Sequence, residues 1–163
     1  MKIEKAVFAA GCFWGVEELL RKIKGVTETE VGYCGGSSAS DARYEKVKTG
    51  STGHAESVQI TFDADILAYE KLVEYFFKLH DPTTLNQQGN DKGTQYRSAI
   101  FFGSPGQKTA AEKIMKAVET SGKWNRPIVT ELKPLEKFYS AESYHQDYLQ
   151  KNPGGYTCHF WRD

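Results

Sequence analysis

Net charge, long apolar runs and paired cysteines are all scarce in this sequence, and each shortage rules something out. Twenty-one Lys and Arg residues are matched by twenty-one Asp and Glu, giving a formal net charge of zero. With no basic run and no acidic tail, nothing marks a nucleic-acid partner or any other partner recruited by bulk electrostatics. No apolar stretch approaches the roughly 20 residues of a bilayer-spanning helix. AAGC, ending at Cys12, looks superficially like a lipidation site. However, the apolar run before it covers only Ala6 to Ala10, and Glu4 breaks it upstream. A signal core is longer than that, so no membrane association and a cytoplasmic location are expected. Cys12, Cys34 and Cys158 are an odd number of cysteines with no C-x-x-C pair. That is no secreted disulfide framework, and it leaves free thiols available for chemistry in a reducing compartment.

The remaining composition is that of an ordinary globular protein: 39% hydrophobic and 26% charged over 163 residues, enough for one domain spanning 1–163. KAVFAAG reads as a buried strand ending in a glycine turn. FWGVEELLRKIKG follows as a helix, with Val16, Leu19, Leu20 and Ile23 on one face and Gly25 as its stop. VTETEVGY and AESVQITFD alternate as strands do, separated by a long Gly-, Ser- and Thr-rich loop. Asp65 is placed to cap a helix over ILAYEKLVEYFFKLH, with Ile66, Tyr69, Val73, Phe76 and Phe77 on its apolar face. After a second polar loop, YRSAIFFG reads as a strand. Ser104, Pro105 and Gln107 then open a helix with a capping box, and that helix ends near Gly122. A shorter helical stretch is expected over Ala141 to Gln150, followed by a mobile, irregular tail over 151–163 that carries Cys158. The order fits an α+β domain, a ferredoxin-like two-layer sandwich with long loops. Loops of that length are usually functional.

Cys12 falls where a strand gives way to a helix. Unpaired N–H groups and the positive end of the helix dipole favour an anion there, so a lowered thiol pKa is expected. Gly11 permits a tight turn and Gly15 a close backbone approach. Read alone, Cys12 is either a small buried hydrophobe or a nucleophile, and the setting GCFWG favours the nucleophile. Phe13 and Trp14 are adjacent, so they cannot share one helix face, and one of them is free to wall a pocket suited to an S-methyl group. Glu56 sits where a polar loop enters an apolar strand. It is either a solvent-facing strand residue or a half-buried carboxylic acid whose raised pKa fits general-acid work. Tyr44, Asp91, Tyr96 and Arg97 lie in or beside the loops, as plain turn residues or as a hydrogen-bonding pocket for a small polar oxygen. Cys158, in the tail, is either idle or a thiol that could close a disulfide on an oxidised Cys12. His54, His80, His145, His159 and the cysteines lack metal-ligand spacing, so no metal is expected.

Taken together, AVFAAGCFWGVEE, VGYCGG, ARYEKVKTGSTGHAE, HDPTTLNQQGNDKGTQYRSAIFF and YHQDYLQKNPGGYTCHF resemble the A-type peptide methionine sulfoxide reductases over nearly the whole chain. GCFWG together with GTQYRS is the specific part of that signature. The resemblance implies that Cys12 attacks the sulfoxide sulfur and Glu56 protonates the departing oxygen. Tyr44 and Tyr96 would hold that oxygen, Asp91 would support the polar network, and Phe13 and Trp14 would enclose the methyl group. Cys158 would resolve the Cys12 sulfenic acid to a disulfide. The implied substrates are the S epimer of methionine sulfoxide, free and within oxidised proteins. No cofactor is implied; the reductant would be external, thioredoxin. A neutral, compact single domain is itself expected to be a monomer. Cys34 departs from the pattern, since the family more often has a small non-thiol residue there. Bystander, second resolver and relay to thioredoxin are its readings. Two rivals remain: a cysteine hydrolase using Cys12, His54 and Asp91, and a module that binds oxidised peptides without turnover.

Overall fold

Strand β1 (Ile3–Ala10) is buried from Ala6 onward. A strand covered on both faces carries apolar residues without alternation, as AVFAA does. The computed structural model describes residues 2–36 and 38–162. In it β1 lies inside a six-stranded sheet, between β3 (Ala55–Asp63) and β6 (Ser98–Phe102), antiparallel to both. Beyond β3 comes β2 (Val26–Cys34), also antiparallel. The edges are β7 (Glu131–Pro134), parallel to β6, and β8 (Phe138–Ser140), antiparallel to β2. The order is therefore β7-β6-β1-β3-β2-β8, a mixed α/β architecture.

Alternation along β1 divides two cores. Ala6, Phe8 and Ala10 join the larger one, with α1 (Phe13–Arg21), α3 (Tyr69–Lys78) and α4 (Pro105–Thr120) packed over the sheet. Phe8 and Phe76 stack there with ring centroids 5.0 Å apart. Val7 and Ala9 face the other way, into a small cluster with Cys34, Ala55, Ala99 and Phe101. Along β3, Glu56 lies in phase with Val58, Ile60 and Phe62 of the helix-covered face.

Several expectations are corrected. Helix α3 begins at Tyr69 with Ala68 at its N-cap, so Asp65 does not cap it. Residues 63–67 turn around Asp63, whose carbonyl accepts from the N–H groups of Ile66 and Leu67. Ile66 is 56% exposed, off the apolar face. At α4, Ser104 does accept from the Gln107 N–H, but the Gln107 side chain reaches the N–H of Gly103, one residue earlier than a capping box requires. The stretch 141–150 is not one helix. It comprises a 3-10 turn (Ser143–His145) and α5 (Tyr148–Lys151), separated by Asp147 at φ +55°. The break follows from tertiary bonding: Gln146 exchanges two hydrogen bonds with the Val31 backbone, and Asp147 pairs with Arg21.

Both long loops contain short elements: α2 (Tyr44–Val47) in the first, and in the second a two-residue ladder of β4 (Gln87–Gln88) and β5 (Asp91–Lys92), then a 3-10 turn over Thr94–Tyr96. Residues 152–162 form no helix or strand, yet they are fastened at three points. His159 Nε2 bonds the Ala10 carbonyl at 2.6 Å, the Arg162 N–H bonds the Lys78 carbonyl at 2.7 Å, and Trp161 packs edge-on against Tyr75. Among the described residues, no helix is long and apolar enough to cross a membrane.

Candidate active site

Cys12 is the N-cap residue of α1, reached through Gly11 at φ +96°. Glycine is needed at position 11 on two counts. The conformation is left-handed, and a Cβ there would stand 2.7 Å from Cβ of Gln88. Cys12 opens into a cavity of about 140 Å3 that is also lined by Phe13, Trp14, Tyr44, Glu56, Asp91 and Tyr96. Seven of the eight residues singled out from sequence are thus brought to one place. Cys158 does not line the cavity, while Tyr156, which sequence reasoning passed over, does.

The electrostatics run opposite to the expectation at Cys12. The thiol is 8% exposed, and burial pushes its pKa up, with the Glu56 charge next in effect. The Trp14 backbone N–H works the other way and is outweighed. Helix-terminus stabilisation of an anion is small beside the cost of desolvating it. Glu56 is 2% exposed, and burial raises its pKa to about 8, against the pull of the Phe13 N–H, which donates to Oε1 at 3.2 Å. The phenols of Tyr44 and Tyr96 are likewise pushed up, first by burial and then by the nearby Glu56 charge. At neutral pH the Glu56 carboxyl and the Tyr44 and Tyr96 phenols are therefore all favoured in their protonated forms, three oxygens on one cavity.

The aromatic pair divides its work as adjacency demands. Phe13 is 1% exposed and packs inward on Tyr33, while Trp14 is only partly buried. Trp14 stacks on Tyr148 at 3.8 Å, and its indole N–H donates to Nδ1 of His145 at 3.1 Å. Glu142 braces the opposite wall, accepting from the Tyr44 N–H and from the Tyr33 hydroxyl, both at 2.8 Å. The two loops interlock. Thr94 donates to the Gly50 carbonyl, Gln95 to that of Lys48, and Arg97 to that of Gly53, which sets Tyr96 beside the first loop. Glu142, His145 and Tyr148 carry no signal in a single sequence, because their contacts come from tertiary packing of a short irregular segment.

Cys158 lies behind the 87–92 ladder, with Sγ 3.8 Å from the Gln88 carbonyl oxygen. Cys34 pairs across with Ala55 while its neighbour Tyr33 pairs with Glu56, so Cys34 belongs to the sheet face turned away from the cavity. A larger cavity of about 500 Å3 adjoins Cys34, Phe101 and Tyr139 on that side. Arg97 also borders it, but its guanidinium is already engaged by Glu131 and by the carbonyls of Thr94 and Gly53. His54 does not line the Cys12 cavity. Its ring accepts from the Gly36 N–H and bonds the Ser38 carbonyl, pinning a loop, which removes the base of a Cys-His-Asp hydrolase.

Residues 4–162 match the protein family described as peptide methionine sulfoxide reductase. The chain belongs to this family. A peptide methionine sulfoxide reductase MsrA from Methanothermobacter thermautotrophicus is 53% identical over 152 residues, covering 93% of this chain and 89% of that one. A probable peptide methionine sulfoxide reductase from Schizosaccharomyces pombe is 52% identical over 163 residues, covering 96% and 95%. Among solved structures, Mxr1 from Saccharomyces cerevisiae in reduced form superposes with a TM-score of 0.93 at 40% identity, over 99% of this chain and 93% of that one. The same yeast protein in an unusual oxidised form gives 0.71 at 39% identity, covering 99% and 90%. In complex with Trx2 it gives 0.68 at 25% identity, covering 99% and 91%. The enzyme is a methionine sulfoxide reductase of the A type. Its three cysteines are all free, and the reduced relative is the one its geometry follows more closely.

Proposed function

We propose that the cavity reduces the S epimer of methionine sulfoxide, free and in oxidised proteins, through a sulfenic acid on Cys12. The observation that carries this reading is the trio of protonated oxygens beside a buried thiol. A sulfoxide oxygen is a strong acceptor and a poor leaving group until it gains a proton. Glu56 supplies that proton, and Tyr44 and Tyr96 hold the oxygen as charge shifts. Asp91 supports the polar network, and Phe13 and Trp14 enclose the S-methyl group. The Cys12 sulfur bonds to the sulfoxide sulfur while its thiol proton is passed on through the carboxyl group. The transient bond between the two sulfurs then breaks together with the substrate S–O bond as a new S–O bond forms on Cys12, so the oxygen is transferred to Cys12 as hydroxyl and the thioether leaves. Cys12–SH and the sulfoxide become Cys12–SOH and the thioether, so sulfur is oxidised on the enzyme as it is reduced on the substrate.

Cys158 resolves the sulfenic acid to a disulfide with loss of water, and an external dithiol protein of the thioredoxin type reduces it. The yeast relative solved in complex with Trx2 supports that reductant. The strand order β6-β1-β3-β2 supports reading the inner sheet as a ferredoxin-like unit with added edge strands, one catalytic domain overall. We place the enzyme in the cytoplasm as a monomer. Incubating it with a dithiol and each pure epimer of methionine sulfoxide tests the reading. Methionine from the S epimer alone is expected. Product from neither epimer, or equal amounts from both, overturns it.

A further inference from the structure

The tail that carries Cys158 is not loose, and what fastens it is specific. His159 is 7% exposed, and its Nε2 lies 2.6 Å from the carbonyl oxygen of Ala10, two residues before Cys12. A carbonyl only accepts, so Nε2 bears the hydrogen and the ring is the neutral tautomer whose Nδ1, without a hydrogen, faces the Cys158 Sγ at 3.9 Å. The His159 N–H is in turn held by Thr157 Oγ1 at 3.2 Å. Both side chains lie on Gly15, in the first turn of the helix that Cys12 caps. A Cβ on Gly15 would fall 2.3 Å from Thr157 Oγ1 and 2.5 Å from His159 Nδ1, far inside contact distance. Gly11, just before Cys12, makes the same kind of room, with His159 Nε2 3.3 Å from a Cβ placed there. Gly15 has no positive φ to explain it, and glycine inside a helix is less favourable than alanine. Its lack of a side chain is explained by the tail seated on it.

We propose that Gly15 and His159 form a dock that holds the tail against the Cys12 turn, so that disulfide formation needs only a local rearrangement of residues 154–158. The inference rests on the sulfenic-acid reading above and adds a positioning role for two residues outside the substrate cavity, Gly15 and His159, the latter with Nδ1 3.9 Å from the Cys158 Sγ. Gly154 has no neighbour within 4 Å of a Cβ placed on it, so the moving segment has open space at its start, while Gly155 packs on Leu149 and Tyr148 and His159 stays seated. In the resolving step the Cys158 sulfur attacks the Cys12 sulfenic sulfur. The S–S bond forms, the S–O bond breaks, and the hydroxyl leaves as water with the Cys158 thiol proton. A tail anchored one residue beyond the attacking thiol keeps that thiol at high effective concentration. An undocked tail searches a much larger volume. Burial of the ring holds the His159 pKa at about 4, so the dock stays neutral at ordinary pH.

The test separates the two chemical steps. Fully reduced wild type, Gly15→Ala, His159→Ala and His159→Gln are each mixed once with the S epimer without reductant. Methionine, disulfide and dione-trapped sulfenic acid are then followed in time. Gly15→Ala and His159→Ala are expected to release methionine at the wild-type rate but close the disulfide about tenfold or more slowly, as effective concentration falls, with sulfenic acid accumulating. Gln keeps an N–H near the position of Nε2, so His159→Gln should restore much of the rate. Disulfide closure at the wild-type rate in both Gly15→Ala and His159→Ala would overturn the dock. So would an equal slowing of methionine release, which would mean that the residues act on Cys12. If wild type itself releases no methionine, the failure lies with the sulfenic-acid reading and is visible as such.

Discussion

Burial raises the Glu56 pKa to about 8, and that shift bears on both turnover and stability. In the mechanism proposed above the acid must carry its proton for the S–O bond to break, so Glu56→Gln should lower kcat by the roughly 10²–10⁴-fold typical of general acid catalysis. Sulfoxide binding should persist, since the Gln carbonyl can still accept from the Phe13 N–H. Steady-state kinetics and a binding isotherm check both points. Unchanged turnover would remove Glu56 from the mechanism. In wild type, kcat/KM should fall as pH rises through about 8, the folded value of this acid. Stability follows the same proton. The folded pKa is raised, so the contribution of Glu56 is fully present below the unfolded value and is lost as pH rises through about 8. Glu56→Gln should therefore raise Tm relative to wild type at pH near 9 and do so much less at pH near 5. A Tm difference of the same size at both pH values would contradict the raised pKa. The sequence left Glu56 as either a solvent-facing strand residue or a half-buried acid, and the fold decides it by setting Glu56 in phase with Val58, Ile60 and Phe62 on the helix-covered face. It did not show the sign of the shift at Cys12. A dipole argument is local, whereas desolvation depends on everything packed around the thiol.

Strand β2 decides the status of Cys34. Period-two alternation puts Tyr33 on the cavity side and Cys34 in the small cluster with Val7, Ala9 and Phe101 on the other. With the sheet between the two thiols, Cys34 is a packing residue in this arrangement. Cys34→Ala should leave single-turnover methionine yield and disulfide closure at wild-type values, with a modest loss of Tm from the small void. A disulfide yield that collapses in that variant would show Cys34 on the resolving route. At this scale the central strands and the three long helices were legible from periodicity, apolar runs and the start and stop residues around them, Ser104 and Pro105 among these. The edge strands β7 and β8 were not, since four and three residues are too few to show a period. The helix expected over 141–150 failed because Gln146 and Asp147 bond to other elements, which a local pattern cannot register. Similarly, the capping role of Asp65 failed because the chain turns first on Asp63.

Across the whole molecule, the interlocked loops and the docked tail converge on one end of the sheet, where β1 hands over to α1. The yeast relative superposes better in its reduced than in its unusual oxidised form, with TM-scores of 0.93 and 0.71, so the two forms of that protein differ in shape. In this chain a rearrangement of residues 154–158 breaks the bond from Tyr156 to Asp91 at 3.3 Å and leaves that from His159 to Ala10 in place. The account as a whole stands or falls on whether Cys12 takes the oxygen and an internal thiol then removes it. The direct measurement is a single turnover of fully reduced enzyme with the S epimer and no reductant, followed by a count of methionine and free thiols and by mass mapping. The account predicts about one methionine per enzyme, the loss of two of the three free thiols, and a disulfide joining Cys12 to Cys158. No methionine, with all three thiols intact, would contradict it.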